Sequence, residues 1–217
     1  MWMSEYELAR KRADDEKPKR SAHWRAFGSD DDEAAHKSVE VMHNHIYFYA
    51  DVDNESGIKL LRVLHKLDRE LRIVHLLRDD PNIPEVPIWL HVNSYGGSLF
   101  TGFSLADQLS MVKSPLYTVM EGICASAATL IALSGRKRYI LPNSFLLIHQ
   151  LSALIWGTHE QFKDEMTMQQ KAMERLVMFY ATRTRVSADE VRSMLTHDYW
   201  LDAEGALANG FADEILR

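Results

Sequence analysis

The chain has 217 residues, of which 46% are hydrophobic and 26% are charged, and its formal net charge is −6 at pH 7. This size and composition can bury one sizeable core, so we expect a single folded domain with a tail. The acidic balance argues against a nucleic-acid-binding protein that relies on phosphate contacts. The single cysteine, Cys124, excludes an intramolecular disulfide and a cysteine-rich zinc site, and it is typical of a reducing compartment.

The sequence contains no segment that predicts membrane insertion. Residues 1–3 are followed at once by charged residues, so the apolar core of a signal peptide is missing. The longest apolar run, 123–133, is interrupted by Ser126 and Thr129 and is too short to span a bilayer. We therefore expect a cytoplasmic protein that binds neither membranes nor nucleic acids.

Residues 1–40 differ in character from the rest of the chain. Charged clusters at 9–16 and 29–33 stand among few apolar residues, a pattern typical of a mobile or weakly helical arm. An interaction arm or a removable propeptide is the functional alternative to a merely mobile chain end. Because regular patterning begins near Val41, we place the folded domain at residues 41–217.

Strands and helices alternate along this domain. The β-rich run 46–52 predicts a strand, and a turn at 54–57 leads into a helix with one apolar face, at Leu60, Val63, Leu64, Leu67 and Leu71. A proline-rich loop at 79–87 is followed by a strand at 88–92 and an apolar helix over 99–111. This alternation predicts an α/β fold.

Gly96 and Gly97 join the strand at 88–92 to the helix that follows it. Two adjacent glycines let the backbone turn sharply and expose its N–H groups. A phosphate-binding turn is disfavoured, because the segment lacks both the Gly-Lys-Ser/Thr of a P-loop and the three-glycine dinucleotide fingerprint. An oxyanion-binding turn and a simple tight turn remain as the two interpretations.

The segment 121–130 contains the candidate nucleophile. A short β-rich run at 117–119 leads through Gly122 and small residues into an apolar helix, which places Ser126 in the first helical turn. The unpaired N–H groups and partial positive charge of a helix N-terminus would stabilise an oxyanion beside that serine. The alternative is that Ser126 simply caps the helix.

His149 and Asp198 are candidates for the base and the carboxylate of a catalytic triad. His149 closes the apolar strand 144–148. An imidazole in such apolar surroundings needs a hydrogen-bond partner, and a serine hydroxyl would be a suitable partner. Asp198 precedes an aromatic pair that we expect to shield its carboxylate, whereas Asp202 is better explained as a helix N-cap. Composition alone does not distinguish Ser126, His149 and Asp198 from the other serines, histidines and acids.

A long amphipathic helix is predicted from Glu160 to about Thr182. Its apolar residues form one stripe, at Phe162, Met166, Met173, Leu176, Val177 and Tyr180. A subunit interface and plain core packing explain the stripe equally well. A capping box beginning at Ser187 and a C-cap at Asn209 then indicate two short helices near the C-terminus.

From about Ile46 onwards the chain resembles the proteolytic subunits of the Clp protease, the ClpP family, in five segments. These segments are 93–98, similar to an Asn-Ser-Pro-Gly-Gly turn, 122–126, similar to Gly-x-x-Ala-Ser, 141–150, similar to Leu-Pro-Asn-Ser…Ile-His-Gln, 198–201, similar to Asp-x-Phe-Met/Leu, and 210–215, similar to Gly-Leu-(Ile/Val)-Asp. The resemblance implies a crotonase-like α/β fold of repeated ββα units with a protruding handle helix at about 152–182. The pattern looks most like the divergent ClpP-like proteases of phages.

The resemblance also implies a serine endopeptidase that acts on polypeptides. Ser126 would attack a peptide carbonyl, His149 would take its proton and pass it on, and Asp198 would hold the imidazole tautomer. The backbone N–H groups of Gly97 and Ala127 would form the oxyanion hole. Members of the family need no metal or organic cofactor. They stack two heptameric rings into a tetradecamer, and an AAA+ unfoldase feeds them substrate.

Three residues in or directly after the similar segments depart from the family pattern. Tyr95 and Leu151 each replace a proline, which alters the substrate groove, while Ala127 replaces a methionine but keeps the backbone donor. Residues 1–40 do not resemble the family's short axial-loop N-terminus, so the sequence lends no support to unfoldase docking. Two other classes of function stay open, a non-catalytic ring subunit and a crotonase-fold acyl-CoA enzyme.

Overall fold

The computed structural model describes residues 37–78, 84–152 and 157–217. Most of the charged arm, part of the proline-rich loop and the start of the handle segment lie outside these ranges. The first described residue, Lys37, already belongs to a strand. Regular structure therefore starts earlier than the sequence pattern predicts, which is near Val41.

The described residues form eight strands and six helices. The strands are β1 (Lys37–Met42), β2 (His45–Ala50), β3 (Ile88–Ser94), β4 (Leu116–Ala125), β5 (Lys137–Ile140), β6 (Phe145–Ile148), β7 (Tyr199–Leu201) and β8 (Glu214–Ile215). The helices are α1 (Asn54–Leu76), α2 (Leu99–Ser110), α3 (Ala127–Ala132), α4 (His159–Arg183), α5 (Ala188–Met194) and α6 (Ala203–Ala208). Strands and helices alternate, as the sequence predicts for an α/β fold.

The eight strands belong to one sheet. Strands β1, β2, β3, β4, β5 and β8 lie side by side in that order, with β1 antiparallel to β2 and the rest parallel. Strand β4 has two partners on one side, because residues 117–120 pair with β5 and residues 123–125 pair with β6. Gly122, at φ 55°, separates these halves of β4. The fork brings the end of β4 beside β6 and its antiparallel partner β7.

The core lies between the sheet and helices α1, α2 and α3. In β2 and β3 buried residues alternate with partly buried ones, as expected for strands with one face fully covered. Helix α1 contributes Leu60 and Leu64, and α2 contributes Leu105 and Leu109. Every residue of α3 is buried. The junction between β4 and α3 is therefore held in place by packing on all sides of a short central helix.

Helix α4 packs on the core only along its second half. Its buried residues are Ala172, Leu176, Val177, Phe179 and Tyr180. Near its start, Phe162 and Met166 are 40% and 56% exposed. The predicted long helix is confirmed, but its apolar stripe divides into a core part and an exposed part. Within the described ranges no helix combines the length and apolarity needed to cross a membrane.

The local structure before residue 126 differs from the predicted one. The sequence pattern ends the strand at Val119, whereas β4 continues to Ala125 and α3 begins at Ala127. Gly122 and the small residues after it have low strand propensity, which hid this part of the strand. Pairing with β3 and β6 supplies the stabilisation that propensity lacks.

Candidate active site

Ser126 occupies the junction between β4 and α3. Its backbone lies at φ 54° and ψ −128°, a region that side-chain-bearing residues rarely adopt. It stands at the N-cap position of α3, yet its hydroxyl makes no capping hydrogen bond. Its backbone N–H donates to Leu147 O on β6 at 2.8 Å. The alternative that Ser126 merely caps the helix is therefore wrong, and the strained backbone instead presents a hydroxyl that is not used for capping.

The Gly96–Gly97 turn packs directly against this junction. A Cβ added at Gly96, which has φ 94°, would lie 2.6 Å from Ala125 O and 2.7 Å from Ser126 Cβ. The turn is held from its other side by Val52, which donates to Gly96 O and accepts from Ser98 N, each at 2.7 Å. Only glycine lets the backbone of the turn come this close to Ser126, so this contact explains why a glycine is needed at Gly96.

Two backbone N–H groups lie free beside Ser126. The bridge to Val52 uses the carbonyl before Gly97 and the N–H after it, so the N–H of Gly97 itself has no acceptor among the described residues. Ala127 is the first residue of α3, and N–H groups in a first helical turn have no intrahelical acceptor. Both donors are therefore available to an oxyanion.

His149 follows the last residue of β6 and lines the same cavity as Ser126. Its Nδ1 lies 2.7 Å from Gln150 O, and no hydrogen bond joins it to Ser126 within the described residues. In the structure the partner of His149 is thus a backbone carbonyl and not the expected serine hydroxyl. Because a carbonyl only accepts, Nδ1 carries the proton, and in the neutral ring Nε2 is the basic nitrogen.

Asp198 precedes β7 and makes no hydrogen bond to His149 in the part of the chain that the structure describes. The last antiparallel pairs of these strands are Leu147–Trp200 and Ile148–Tyr199, so His149 and Asp198 each come directly next to the paired residues. The expected shielding of this carboxylate is wrong, because Asp198 is exposed and Trp200 is itself 45% exposed. The two residues therefore flank the same end of the β6–β7 pairing, and no hydrogen bond joins their side chains within the described residues.

Asp202, the competing carboxylate, has a structural role. Its Oδ1 accepts a hydrogen bond of 2.7 Å from Gly205 N, so it caps α6 as predicted. The predicted capping box at Ser187 is confirmed as well, since Ser187 and Glu190 bond each other's backbone N–H groups. These assignments leave Asp198 as the candidate carboxylate for His149.

A cavity of about 290 Å³ opens in front of Ser126. It extends between the glycine turn, the segment after β6 and one face of α4. Its lining residues are Gly97, Ser98, Leu99, Phe100, Ser126, Ala127, His149, Gln150, Leu151, Ser152, Glu165, Met168, Gln169, Ala172, Leu176 and Tyr180. Most of the side chains from α4 are apolar, so the cavity suits an apolar group next to the serine.

The sequence patterns did not reveal a second cluster of titratable side chains. It lies on the face of the sheet opposite the buried core. His91 Nδ1 lies 2.6 Å from Glu121 Oε1, and His91 Nε2 lies 2.8 Å from His45 Nδ1. Tyr49 also donates to Glu121. Burial lowers the pKa of His45, and the positions of His91 and His43 lower it further. Burial by itself would raise the pKa of Glu121, but hydrogen bonds from His91 and Tyr49 outweigh it and hold that pKa below its usual range.

This second cluster is a chain of hydrogen-bonded side chains across three neighbouring strands. The sequence feature that could have revealed it is that His45, Tyr49 and His91 occupy alternating, partly buried strand positions. Across residues 37–78, 84–152 and 157–217, no group of three or more His, Cys, Asp or Glu side chains is arranged to hold a metal ion.

The branched parallel sheet and its buried central helix define a ClpP/crotonase-like α/β fold. A structure of a ClpP1 mutant from Listeria monocytogenes superposes with a TM-score of 0.68 at 24% sequence identity, over 81% of this chain and 92% of that chain. This likeness establishes the fold.

The sequence comparisons identify the family. The Clp protease family profile matches residues 40–217. The ATP-dependent Clp protease proteolytic subunit of Streptococcus mutans is 34% identical over 148 residues, which cover 66% of this chain and 76% of that protein. The proteolytic subunit 2 of Tropheryma whipplei is 34% identical over 154 residues, covering 69% and 84%. The chain therefore belongs to the Clp protease family, and it is a ClpP-like peptide hydrolase.

Proposed function

We propose that this chain is a serine endopeptidase whose nucleophile, base and orienting acid are Ser126, His149 and Asp198. One observation carries the proposal: the uncapped Ser126 hydroxyl faces the same cavity as His149, next to the free N–H groups of Gly97 and Ala127. A strained serine between a strand and a buried helix is the arrangement that exposes a nucleophile beside preformed oxyanion donors.

The chemistry follows from these positions. Ser126 Oγ forms a bond to the peptide carbonyl carbon while its proton moves to His149 Nε2. The oxyanion accepts from the N–H groups of Gly97 and Ala127, and loss of one such donor costs on the order of 10²–10³ in kcat. His149 then protonates the leaving amine as the C–N bond breaks, and a water molecule, deprotonated by His149, hydrolyses the acyl-enzyme.

Catalysis requires His149 to exchange one acceptor for another. In the structure its Nδ1 donates to Gln150 O, which fixes the same tautomer that a triad needs. We propose that substrate binding or subunit assembly turns Nδ1–H from this carbonyl to the Asp198 carboxylate. The strand register supports this step, because His149 and Asp198 adjoin Ile148–Tyr199, the last pair between β6 and β7.

The cavity beside Ser126 supports a preference for apolar side chains at the residue whose carbonyl is attacked. Met168, Ala172 and Leu176 of α4 present an apolar wall to it. A series of fluorogenic peptides differing only at that residue tests the preference. Leu or Phe should give a higher kcat/KM than Asp or Lys, and the reverse order would contradict it.

Covalent labelling tests the nucleophile directly. A fluorophosphonate should add one adduct to the wild type, with loss of fluoride, and none to Ser126→Ala, as measured by intact-mass spectrometry. Ser152→Ala is the matched control, because Ser152 is an exposed serine that lines the same cavity. It should label like the wild type. An unlabelled but folded and assembled wild type would instead support a non-catalytic ring subunit.

We further propose that the chain assembles into two heptameric rings, a tetradecamer, joined through α4. The exposed Phe162 and Met166 on the first half of that helix support a subunit contact there. Native mass spectrometry tests it: Met166→Glu should lower the assembly state, whereas Met111→Glu, at an equally exposed methionine after α2, should not. An unchanged assembly state of Met166→Glu would contradict this contact.

An AAA+ unfoldase is proposed as the partner that delivers folded substrates, since relatives of this chain are subunits of an ATP-dependent protease. Short peptides should then be cleaved without ATP, while a folded protein should be degraded only with the unfoldase and ATP. We also propose that the part of residues 1–40 that precedes β1 forms an arm outside the protease domain, which begins with β1 at Lys37 rather than at residue 41. Limited proteolysis followed by intact mass should remove the arm first and leave the domain whole.

A further inference from the structure

A buried hydrogen-bonded pair links α4 to the helix that follows the nucleophile. Thr129 on α3 is 0% exposed and Tyr180 on α4 is 1% exposed. Their hydroxyl oxygens lie 2.7 Å apart. Thr129 Oγ1 also lies 2.6 Å from Ser126 O. Because a carbonyl only accepts and a threonine hydroxyl has one hydrogen, Thr129 donates to Ser126 O, and Tyr180 must donate to Thr129.

The carbonyl at the end of this chain belongs to the peptide unit that carries an oxyanion donor. Ser126 C=O and Ala127 N–H are parts of one planar trans peptide and point in opposite directions. Fixing the carbonyl therefore fixes the direction of the N–H. Hydrogen bonds in a chain also polarise one another, so a donor on Ser126 O strengthens Ala127 N–H as a donor.

We propose that Tyr180 is a positioning residue for the oxyanion hole, acting through Thr129 and the Ser126–Ala127 peptide. This inference rests on the proposed function of Ser126 as the nucleophile. The hydroxyl of Tyr180 sets the side-chain rotamer of Thr129, Thr129 anchors Ser126 O, and Ala127 N–H is thereby aimed at the oxyanion.

The strain at Ser126 explains why such an anchor matters. A residue at φ 54° keeps its conformation only when its surroundings hold both of its peptide groups. Its N–H is held by Leu147 O at 2.8 Å, and its carbonyl is held by Thr129, through the backbone N–H at 3.0 Å and the hydroxyl. Thr129 thus fixes the carbonyl group of Ser126, and Tyr180 orients the Thr129 side chain.

Tyr180 is well suited to act as a permanent donor. Burial raises the pKa of its phenol well above the usual range, so the hydroxyl keeps its proton across the neutral range. Its ring packs against Phe211, with centroids 5.9 Å apart. Packing therefore holds the hydroxyl toward Thr129 independently of the hydrogen bond.

The test compares variants that remove single hydroxyl groups. Tyr180→Phe and Thr129→Val delete the two links in turn, and Thr129→Ser keeps the hydroxyl and should rescue activity. Thr118→Val is the matched control. Thr118 is also 0% exposed, and its Oγ1 donates at 2.6 Å to Ala132 O at the far end of the same helix. The control therefore loses an equivalent buried hydrogen bond that does not reach Ser126.

Kinetics on a fluorogenic peptide separate positioning from general destabilisation. Tyr180→Phe and Thr129→Val should lower kcat roughly 3- to 30-fold with little change in KM, less than the loss of a whole oxyanion donor. Thr118→Val should lower the melting temperature to a similar degree and leave kcat unchanged. The double variant of Thr129 and Tyr180 should be no slower than Thr129→Val alone, because the two groups act in one chain.

The labelling rate of Ser126 by a fluorophosphonate distinguishes this inference from the proposed function. A labelled wild type with an equally fast Tyr180→Phe would overturn the positioning role alone. A similar fall of kcat in Thr118→Val would also overturn it, since the effect would then be one of stability. A wild type that is not labelled at all would remove the nucleophile on which the inference rests.

Discussion

The imidazole of His149 donates from Nδ1 to the backbone oxygen of its own neighbour Gln150, at 2.7 Å, and not to a carboxylate. His149 and Asp198 nevertheless both adjoin Ile148–Tyr199, the last pair joined between β6 and β7. The candidate base therefore has the tautomer that a triad needs, and the candidate carboxylate, which flanks the same strand pair, makes no hydrogen bond to it within the described residues. This relationship makes the role of Asp198 open to a direct test.

Replacing Asp198 with Asn should lower kcat for peptide hydrolysis by about 10²–10⁴-fold, because the imidazolium loses the charge that stabilises it and the tautomer is no longer enforced. Asp202→Asn is the control, since Asn caps a helix as well as Asp and α6 should keep its N-cap. Steady-state kinetics with a peptide substrate measure both. Equal activity of Asp198→Asn and the wild type would exclude Asp198 from the triad.

Gly96→Ala should abolish peptidase activity and destabilise the fold by about 1–3 kcal/mol, because alanine is strained at φ 94°. The added Cβ would also push Ala125 O and Ser126 away from their positions. Gly57→Ala is the control: in α1 its Cβ meets only side chains, at 3.3 Å or more. Urea unfolding and peptide kinetics should show a small change there, and a fully active Gly96→Ala would refute the packing argument.

The stability of the protein should fall as pH drops from 7.5 to 5.5, in part because of His45. Its folded-state pKa lies below the unfolded value of 6.5, owing to burial and to His91 and His43 nearby, with Glu121 acting in the opposite sense. The unfolded chain therefore binds more protons in this range, so acid favours unfolding. Urea unfolding of His45→Gln at both pH values should show a weaker pH dependence than the wild type.

The control for this pH effect is His197→Gln. His197 is exposed, and its ring makes no hydrogen bond within the described residues. This variant should keep the wild-type difference in unfolding free energy between pH 7.5 and 5.5. The range stays above the titration of Glu121, whose pKa is held low by His91 and Tyr49 despite burial, so the carboxylate stays charged throughout. An unchanged slope in His45→Gln would contradict the prediction.

Arg138 and Asp213 join β5 to the segment before β8 through two side-chain hydrogen bonds, of 2.6 and 3.1 Å, and Arg138 N adds a third of 2.9 Å. Asp213→Asn should lower the free energy of unfolding by about 1–3 kcal/mol, because charge-assisted bonds to a partly buried guanidinium are lost. The neighbouring pair of Lys137 and Glu214 is more exposed, so Glu214→Gln should change the free energy of unfolding by less than Asp213→Asn does.

The pH dependence of this pair has a definite sign. Burial by itself would raise the pKa of Asp213, but the hydrogen bonds from Arg138 outweigh it and hold that pKa below its ordinary value. Its contribution is present above the ordinary aspartate range and is lost as pH falls through the lowered pKa. Urea unfolding at pH 7 and at pH 3 should therefore show a smaller gap between wild type and Asp213→Asn in acid.

Local patterns predicted the α/β class, the long helix α4 and the caps at Asp202 and Ser187. These features depend on residues within one or two turns of each other, so their signals are contiguous in the sequence. The resemblance to a known family selected Ser126, His149 and Asp198. Residue types alone could not select them, because the chain contains ten histidines and many acids.

Tertiary structure decided the features that depend on contacts between residues far apart in the sequence. Strand β4 runs on to Ala125 because β3 and β6 pair with it, although Gly122 and small residues there have low strand propensity. The exposure of Asp198 and the acceptor of His149 depend on how β6 and β7 end, which no local pattern encodes.

The sequence by itself determined the candidate residues for the proposed chemistry: a serine at the start of a buried helix, a histidine at the end of an apolar strand and two adjacent glycines. Only the fold decided how they meet. Gly96 touches Ser126 because Val52 holds the glycine turn, and Tyr180 reaches Thr129 because α4 packs on the core. Such contacts join residues 30 or more positions apart, and their energies depend on packing geometry rather than on local preference.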